Sequence, residues 1–164
     1  MDGVRAYWDG QRLLSRYGKE INVPRHFKEY LPSIPLDGEL WMGRGTFDQL
    51  NSILKSKDSS IGEQEQQHIL EKWKSVGYYI FDLPTSTSNT YEERLNEMNQ
   101  LKLPNHAHIV KSTQCNSMEE MEHTLNTILE SGGEGIIAVH PNSKYEPRRT
   151  PTRVKVKVSF SFGF

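Results

Sequence analysis

The sequence predicts an α+β domain in which mainly antiparallel sheets are flanked by helices, and three observations carry that expectation. Two β-leaning runs at 4–8 and 12–16 flank Asp9-Gly10, a dipeptide suited to the positive-φ conformations of a tight hairpin turn. Strand-like and helix-like stretches then interleave with no regular βαβ rhythm. The chain closes on Arg153-Val154-Lys155-Val156-Lys157-Val158, an alternation that on a strand sends three basic residues to one face and three valines to the other.

Taken in order, residues 2–16 form the hairpin and 36–42 mix apolar and acidic side chains as a half-buried strand does. Helical spacing follows over 47–54 and again over 64–76, where Ile69, Leu70 and Trp73 share a face. Tyr78-Tyr79-Ile80-Phe81 is a dense aromatic strand closed by Pro84, and three of its four side chains are expected in the core. A Ser/Thr-rich loop at 85–90 leads into a helix over 91–101 that Pro104 closes, and Ile109-Val110 suggests another strand. Residues 117–130 place Met118, Met121, Leu125 and Ile128 on one helical face, Ser131-Gly132-Gly133 stops that helix, and 135–139 returns to strand. The Asp-Gly pairs at 2, 9 and 37 lie in unrelated surroundings, so no internal repeat is expected.

A chain of 164 residues suits one domain with a single core. Mean hydropathy is polar at −0.69, but 10% aromatic content argues for a folded chain. A net charge of −1 gives no overall attraction to nucleic acid, so such a partner would need a local patch. The single Cys115 excludes an internal disulfide framework, and six scattered histidines lack metal-ligand spacing; all seven are expected to be structural or incidental. Trp8, Trp41 and Trp73 fit core or surface-capping positions. No charged leader with an apolar run and no stretch of eighteen apolar residues occurs, so an intracellular monomer with no membrane partner is expected.

Four segments stand out together: Asp2-Gly3-Val4-Arg5, Leu36-Asp37-Gly38-Glu39-Leu40-Trp41, Gly132-Gly133-Glu134-Gly135-Ile136-Ile137 and the terminal alternation. Glu39 and Glu134 suit a ribose hydroxyl or a hydrated Mg²⁺, while Arg5, Arg16, Lys155 and Lys157 suit phosphate oxygens. Their order resembles the adenylation domain of ATP-dependent DNA ligases, covalent nucleotidyltransferases related to mRNA capping enzymes. The family sequence runs KxDGxR, an arginine in an SRxGK-like turn, DGE, an aromatic strand ending in Phe-Asp, EGI and KxK, and this chain supplies all but the first lysine. Tyr91-Glu92-Glu93-Arg94-Leu95 and Tyr145-Glu146-Pro147-Arg148 also fit, and LDGELWMGRG resembles the minimal DNA ligases of bacteria and viruses more than capping enzymes.

The resemblance implies a nucleotidyltransferase adenylation-domain fold with an ATP cleft between its sheets. It implies catalytic roles for Arg5, Arg16, Lys155 and Lys157, ATP contacts from Arg5, Glu39, Phe81, Lys155 and Lys157, and a metal-proximal Glu134, with ATP and Mg²⁺ as cofactors. Phe81 would stack on adenine and Glu39 would hold the ribose. Nicked duplex DNA is the implied partner, with Arg16, Arg148 and Arg149 on its backbone; residues 144–157 hold six basic residues against one acidic. In such enzymes a lysine amine attacks the α-phosphorus of ATP, AMP passes to the 5′-phosphate of a nick, and the 3′-hydroxyl displaces it. That lysine is expected immediately before Met1, and residues 159–164 are expected to begin a hinge toward an OB-fold domain, with 1–158 as the adenylation domain. The chain would then be an incomplete or inactive form. Two other readings share these motifs: a non-catalytic module holding ATP or nicked DNA, and an RNA-joining or capping-type enzyme, from which preference for ATP over GTP and for DNA ends would separate a ligase. Without the family, Lys155 and Lys157 would be solvated charges on an edge strand and Asp9-Gly10 an ordinary turn.

Overall fold

The computed structural model describes residues 1–56, 63–84 and 89–157. Strand β1 (Val4–Trp8) pairs antiparallel with β2 (Leu13–Ser15), Trp8 opposite Leu13. The connection is a four-residue loop rather than a two-residue turn, because the Asp9 carboxylate accepts the Gln11 and Arg12 N–H groups at 2.9 and 2.7 Å and so closes a wider bend. A short helix α1 (Arg25–Lys28), for which the sequence offers no signal, buries Phe27 beneath it.

Strand β3 (Leu36–Trp41) lies antiparallel to β1 and to β4 (Gly77–Asp82), with α2 (Phe47–Lys55) and α3 (Glu63–Trp73) between β3 and β4. Helix α4 (Tyr91–Met98) then carries the chain to β5 (Ala107–Ile109), which pairs parallel with β4. This is a single βαβ unit, in keeping with the absence of a regular βαβ rhythm in the sequence. Both expected helices are shorter than their apolar spacing, ending at Trp73 and Met98, because Val76 and Leu101 serve the core from the turns beyond. The five strands run β2-β1-β3-β4-β5. A second sheet of two strands, β6 (Ile136–Val139) and β7 (Arg153–Val156), follows α5 (Met118–Glu130). The fold is therefore α+β with mainly antiparallel sheets, as the sequence predicts.

Alternation on the large sheet sorts its residues. Ala6, Trp8, Leu36, Leu40, Tyr78 and Ile80 are buried in the core, while Arg5, Glu39, Tyr79 and Phe81 lie on the opposite face. Tyr79 is thus not a core residue as expected; it is half-buried and looks toward the second sheet. Gly38 has to be glycine, since a Cβ there would come within 2.6 Å of the Tyr78 ring and 2.7 Å of the Tyr79 carbonyl oxygen.

The second lobe is thinner than expected. Leu125 is buried, but Met118 is 66% exposed, and on β7 Val154 is 47% exposed and Val156 half-buried, so neither described valine reaches the core. A two-stranded sheet and one helix offer too little surface to enclose both apolar faces. Among the described residues, no helix is long and apolar enough to cross a membrane. Of the expected loop, residues 85–88 lie outside the described residues, as do Val158 and the expected hinge at 159–164.

Candidate active site

The two sheets face one another across a cleft of about 2510 Å³. Arg5, Arg16, Glu39, Phe81, Glu134, Arg148, Arg149 and Lys155 all line it, and Lys157 reaches it through Glu134.

Arg5 and Glu39 are register partners on β1 and β3. Arg5 turns diagonally to Asp37, one strand position pair along, and forms a two-pronged ion pair with Nε–Oδ1 of 3.1 Å and Nη2–Oδ2 of 2.6 Å. Asp37 is fully buried, and the Tyr145 hydroxyl donates to its Oδ2 at 3.0 Å. The Asp37 hydrogen bonds hold the Arg5 proton more tightly than usual against the opposing effect of burial. Burial, followed by the Asp37 charge, pushes the Tyr145 hydroxyl well above its ordinary range. Glu39 accepts the Gly3 N–H at 2.7 Å; burial raises its carboxyl above the usual range, and this hydrogen bond opposes the rise only in part.

Phe81 sits at an irregularity of the β3–β4 ladder. Asp37 pairs with Asp82 and Gly38 with Ile80, so Phe81 is the extra, unpaired residue of a bulge and lines the cleft. The guanidinium carbons of Arg5 and Arg153 lie 5.9 and 5.8 Å from the centre of its ring.

The next residue, Asp82, is a fully buried node. Arg94, itself fully buried, donates Nε to Oδ1 at 2.6 Å and Nη2 to Oδ2 at 3.2 Å, and Arg153 from β7 binds the same Oδ2. Arg94 also donates to the Asn89 and Ser143 carbonyls at 2.7 and 3.0 Å. Burial pushes the Asp82 carboxyl up, but the two guanidiniums together bring it below the ordinary carboxylate range. Asp82–Arg153, Asp37–Tyr145 and an Arg44 contact to the Ser131 carbonyl fasten the two lobes together.

On the small sheet, Glu134 receives Lys155 at 3.0 Å and Lys157 at 3.4 Å, and these hydrogen bonds lower its carboxyl and raise the Lys155 ammonium. The expected shared face is real for Lys155 and Lys157, whereas Arg153 turns inward to Asp82. Gly135, at φ +148°, lets the chain pass under β7, where any Cβ would strike the Val156 carbonyl oxygen. Arg16 and Arg149 are exposed, and Arg148 pairs with Glu146 at 2.9 Å while 80% exposed.

Asp37, Asp82, Arg94, Tyr145 and Arg153 fall within or beside the motif phrases, yet the sequence alone assigns them no role. The buried carboxylates were detectable in principle, since aspartates within strand segments flanked by core residues such as Leu36 and Leu83 need cationic partners. Among the described residues, no three His, Cys, Asp or Glu side chains cluster to hold a metal ion unaided.

Two sheets enclosing a cleft with a cation-rich wall, a bulge-mounted aromatic and two facing carboxylates define the adenylation-domain fold of nucleotidyltransferases. The chain belongs to the ATP-dependent DNA ligase domain family, whose model matches residues 1–157. It is 28% identical to a DNA ligase of Haemophilus influenzae over 162 residues, covering 97% of this chain and 56% of that relative. Among solved structures, one from a structure-function analysis of Lig E DNA ligases superposes with a TM-score of 0.83 at 33% identity, covering 96% of this chain and 59% of the other. The Chlorella virus DNA ligase-adenylate, at 23% identity and a TM-score of 0.74 with 96% and 58% covered, shares the fold. The chain thus spans just under three fifths of these relatives' lengths.

Proposed function

We propose that this chain is the ATP-binding part of a DNA ligase that seals nicks in duplex DNA through enzyme-AMP and DNA-adenylate intermediates. Adenine lies against Phe81, a ribose hydroxyl bonds Glu39, and the phosphates meet Arg5, Lys155 and Lys157. The observation that carries this reading is the convergence of these residues, spread from position 5 to position 157, on one cleft. Arg5 is pre-oriented by Asp37 and Tyr145, so its remaining donors face a phosphoryl group with little reorganisation. Glu39 is held by Gly3 and accepts a hydroxyl proton as a hydrogen bond. Lys155 and Lys157 share one carboxylate, which leaves ammonium protons to stabilise charge on a transferring α-phosphoryl.

A magnesium ion fits the site only as a hydrated ion shared between Glu134 and substrate phosphates, given the small carboxylate set. Bound there, it would neutralise charge on the departing pyrophosphate. Arg16, Arg148 and Arg149, exposed at the cleft rim, serve the phosphates of nicked duplex DNA.

Calorimetric titration of the chain with ATP and GTP tests the nucleotide site. The expected result is saturable binding that prefers ATP and weakens about tenfold or more in Phe81→Ala, the loss of one stacked base. Glu39→Ala should abolish it. No binding, or binding indifferent to both substitutions, contradicts the proposal. For the DNA rim, replacing Arg148 and Arg149 by alanine should lower the salt dependence of nicked-duplex binding by a slope of about 2.

A further inference from the structure

A second cavity, of about 360 Å³, opens at the far end of the large sheet from Phe81, where β4 and β5 begin. Its walls come from α1, the end of α3 and the first residues of β4 and β5. Its lining is unusual for a chain with balanced charge: His26, His106 and His108 with Lys74 and Asn105, and no carboxylate. Phe27, Trp73 and Tyr79 supply the apolar wall. The size falls at the lower end of small-ligand sites.

Two of the three imidazoles pack on neighbouring rings. His106 Nε2 lies 2.8 Å from the Phe27 carbonyl oxygen, which fixes that nitrogen as the proton donor, and its ring packs on Phe27 with centroids 4.5 Å apart. His108 packs on Tyr79 at 5.0 Å, and Tyr79 in turn meets Trp41 edge-on at 5.2 Å. This aromatic row crosses β3, β4 and β5 and walls the pocket off from the large cleft, with Tyr79 lining both and Trp41 the cleft alone. The groups facing His106 are His26 from α1, Lys74 from the turn after α3, Tyr79 from β4 and His108 from β5; the Lys74 ammonium donates to Glu71 at 2.7 Å, an ion pair exposed on both sides and so weak enough to yield to an entering phosphate. Burial holds His106 below the ordinary imidazole range, the Phe27 carbonyl opposes that, and His26 and His108 add to it. Charging the His106 ring is therefore unfavourable unless an anion enters.

We propose that this pocket is a second, phosphate-binding site, which takes the phosphate of a mononucleotide or of a nucleic-acid strand between protonated imidazoles and the Lys74 ammonium. It is separate from the ATP cleft and does not depend on the function proposed for that cleft. Protons and phosphate bind cooperatively: phosphate draws protons onto the imidazoles, and low pH tightens phosphate binding.

The test is a proton NMR titration of the six histidine Cε1–H signals with inorganic phosphate, AMP and a short 5′-phosphorylated single strand. The expected result is upward movement of the titration midpoints of His26, His106 and His108, with His68, His123 and His140 unmoved. Phosphate affinity should be about tenfold greater near pH 5.5 than near pH 8. In the His26→Asn/His108→Asn double variant, which alters two exposed rings, that gain should vanish while ATP affinity stays at its original value. Comparable affinity for inorganic phosphate and the strand identifies a free-anion site; affinity that rises with strand length identifies a nucleic-acid phosphate. Pocket midpoints that do not move, six that move together, or phosphate binding indifferent to pH overturn the proposal.

Discussion

Replacing Arg94 by methionine should be the most damaging single change at the junction of the two lobes. The substitution keeps an unbranched apolar stem but deletes four hydrogen bonds, two to Asp82 and one each to the Asn89 and Ser143 carbonyls. Removing one partner of a fully buried ion pair costs roughly 3–5 kcal/mol, because the other charge stays buried. Here Asp82 retains Arg153 and the Leu83 N–H, which places the cost at the lower end, about 3 kcal/mol near pH 7. The pH dependence follows from the sign of the Asp82 shift. In the native protein its carboxyl lies below the ordinary range, so its stabilising contribution is complete above the unfolded value of about 3.9 and is lost as pH falls through the lower folded value. In Arg94→Met the desolvated carboxyl rises and takes up a proton at milder acidity, so the deficit relative to the native chain should shrink toward about pH 4. Urea unfolding of both chains near pH 7 and near pH 4 reads this directly. A difference below about 1 kcal/mol near neutrality, or an equal difference at both pH values, would refute the reasoning.

Other consequences are smaller but separable. Tyr145→Phe removes one hydrogen bond to a buried carboxylate and should cost about 1.5 kcal/mol in urea unfolding, with weaker ATP binding because Arg5 loses part of its support. Glu134→Gln should change stability by less than about 1 kcal/mol, since both lysine pairs are nearly half exposed, while altering the magnesium dependence of nucleotide binding; the two effects are read by melting and by titration with and without the ion. Thr90→Ala breaks the capping box of α4, in which Thr90 and Glu93 satisfy one another's N–H groups, and should cost about 1 kcal/mol in thermal melting.

Much of this arrangement was legible in the sequence because it rests on local rules. Alternation on β3 and β4 put Glu39 and Phe81 opposite the core, and the Asp9-Gly10 and Gly132-Gly133 signals marked real turns of the chain. Helix ends were less legible: Val76 and Leu101 keep the apolar spacing of α3 and α4 but occupy turns, where they still pack on the core. The pairing of β4 with β5 was invisible, since a three-residue strand at 107–109 has too little pattern to announce a parallel partner. Long-range polar chemistry was hardest to see. Nothing near Tyr145 in sequence indicates that it reaches Asp37, and the alternation at 153–157 hides that Arg153 turns to Asp82 while Lys155 and Lys157 turn to Glu134.

The central claim is that a nucleotide base rests on Phe81 in the large cleft, and the most direct measurement is a set of intermolecular NOEs between ATP and the chain selectively labelled at phenylalanine, tyrosine and histidine. The account predicts cross-peaks from adenine H2 or H8 to the Phe81 ring, with the Glu39→Ala chain losing them. Adenine contacts to His106 and His108 without any to Phe81 would place the nucleotide in the smaller pocket and contradict the account.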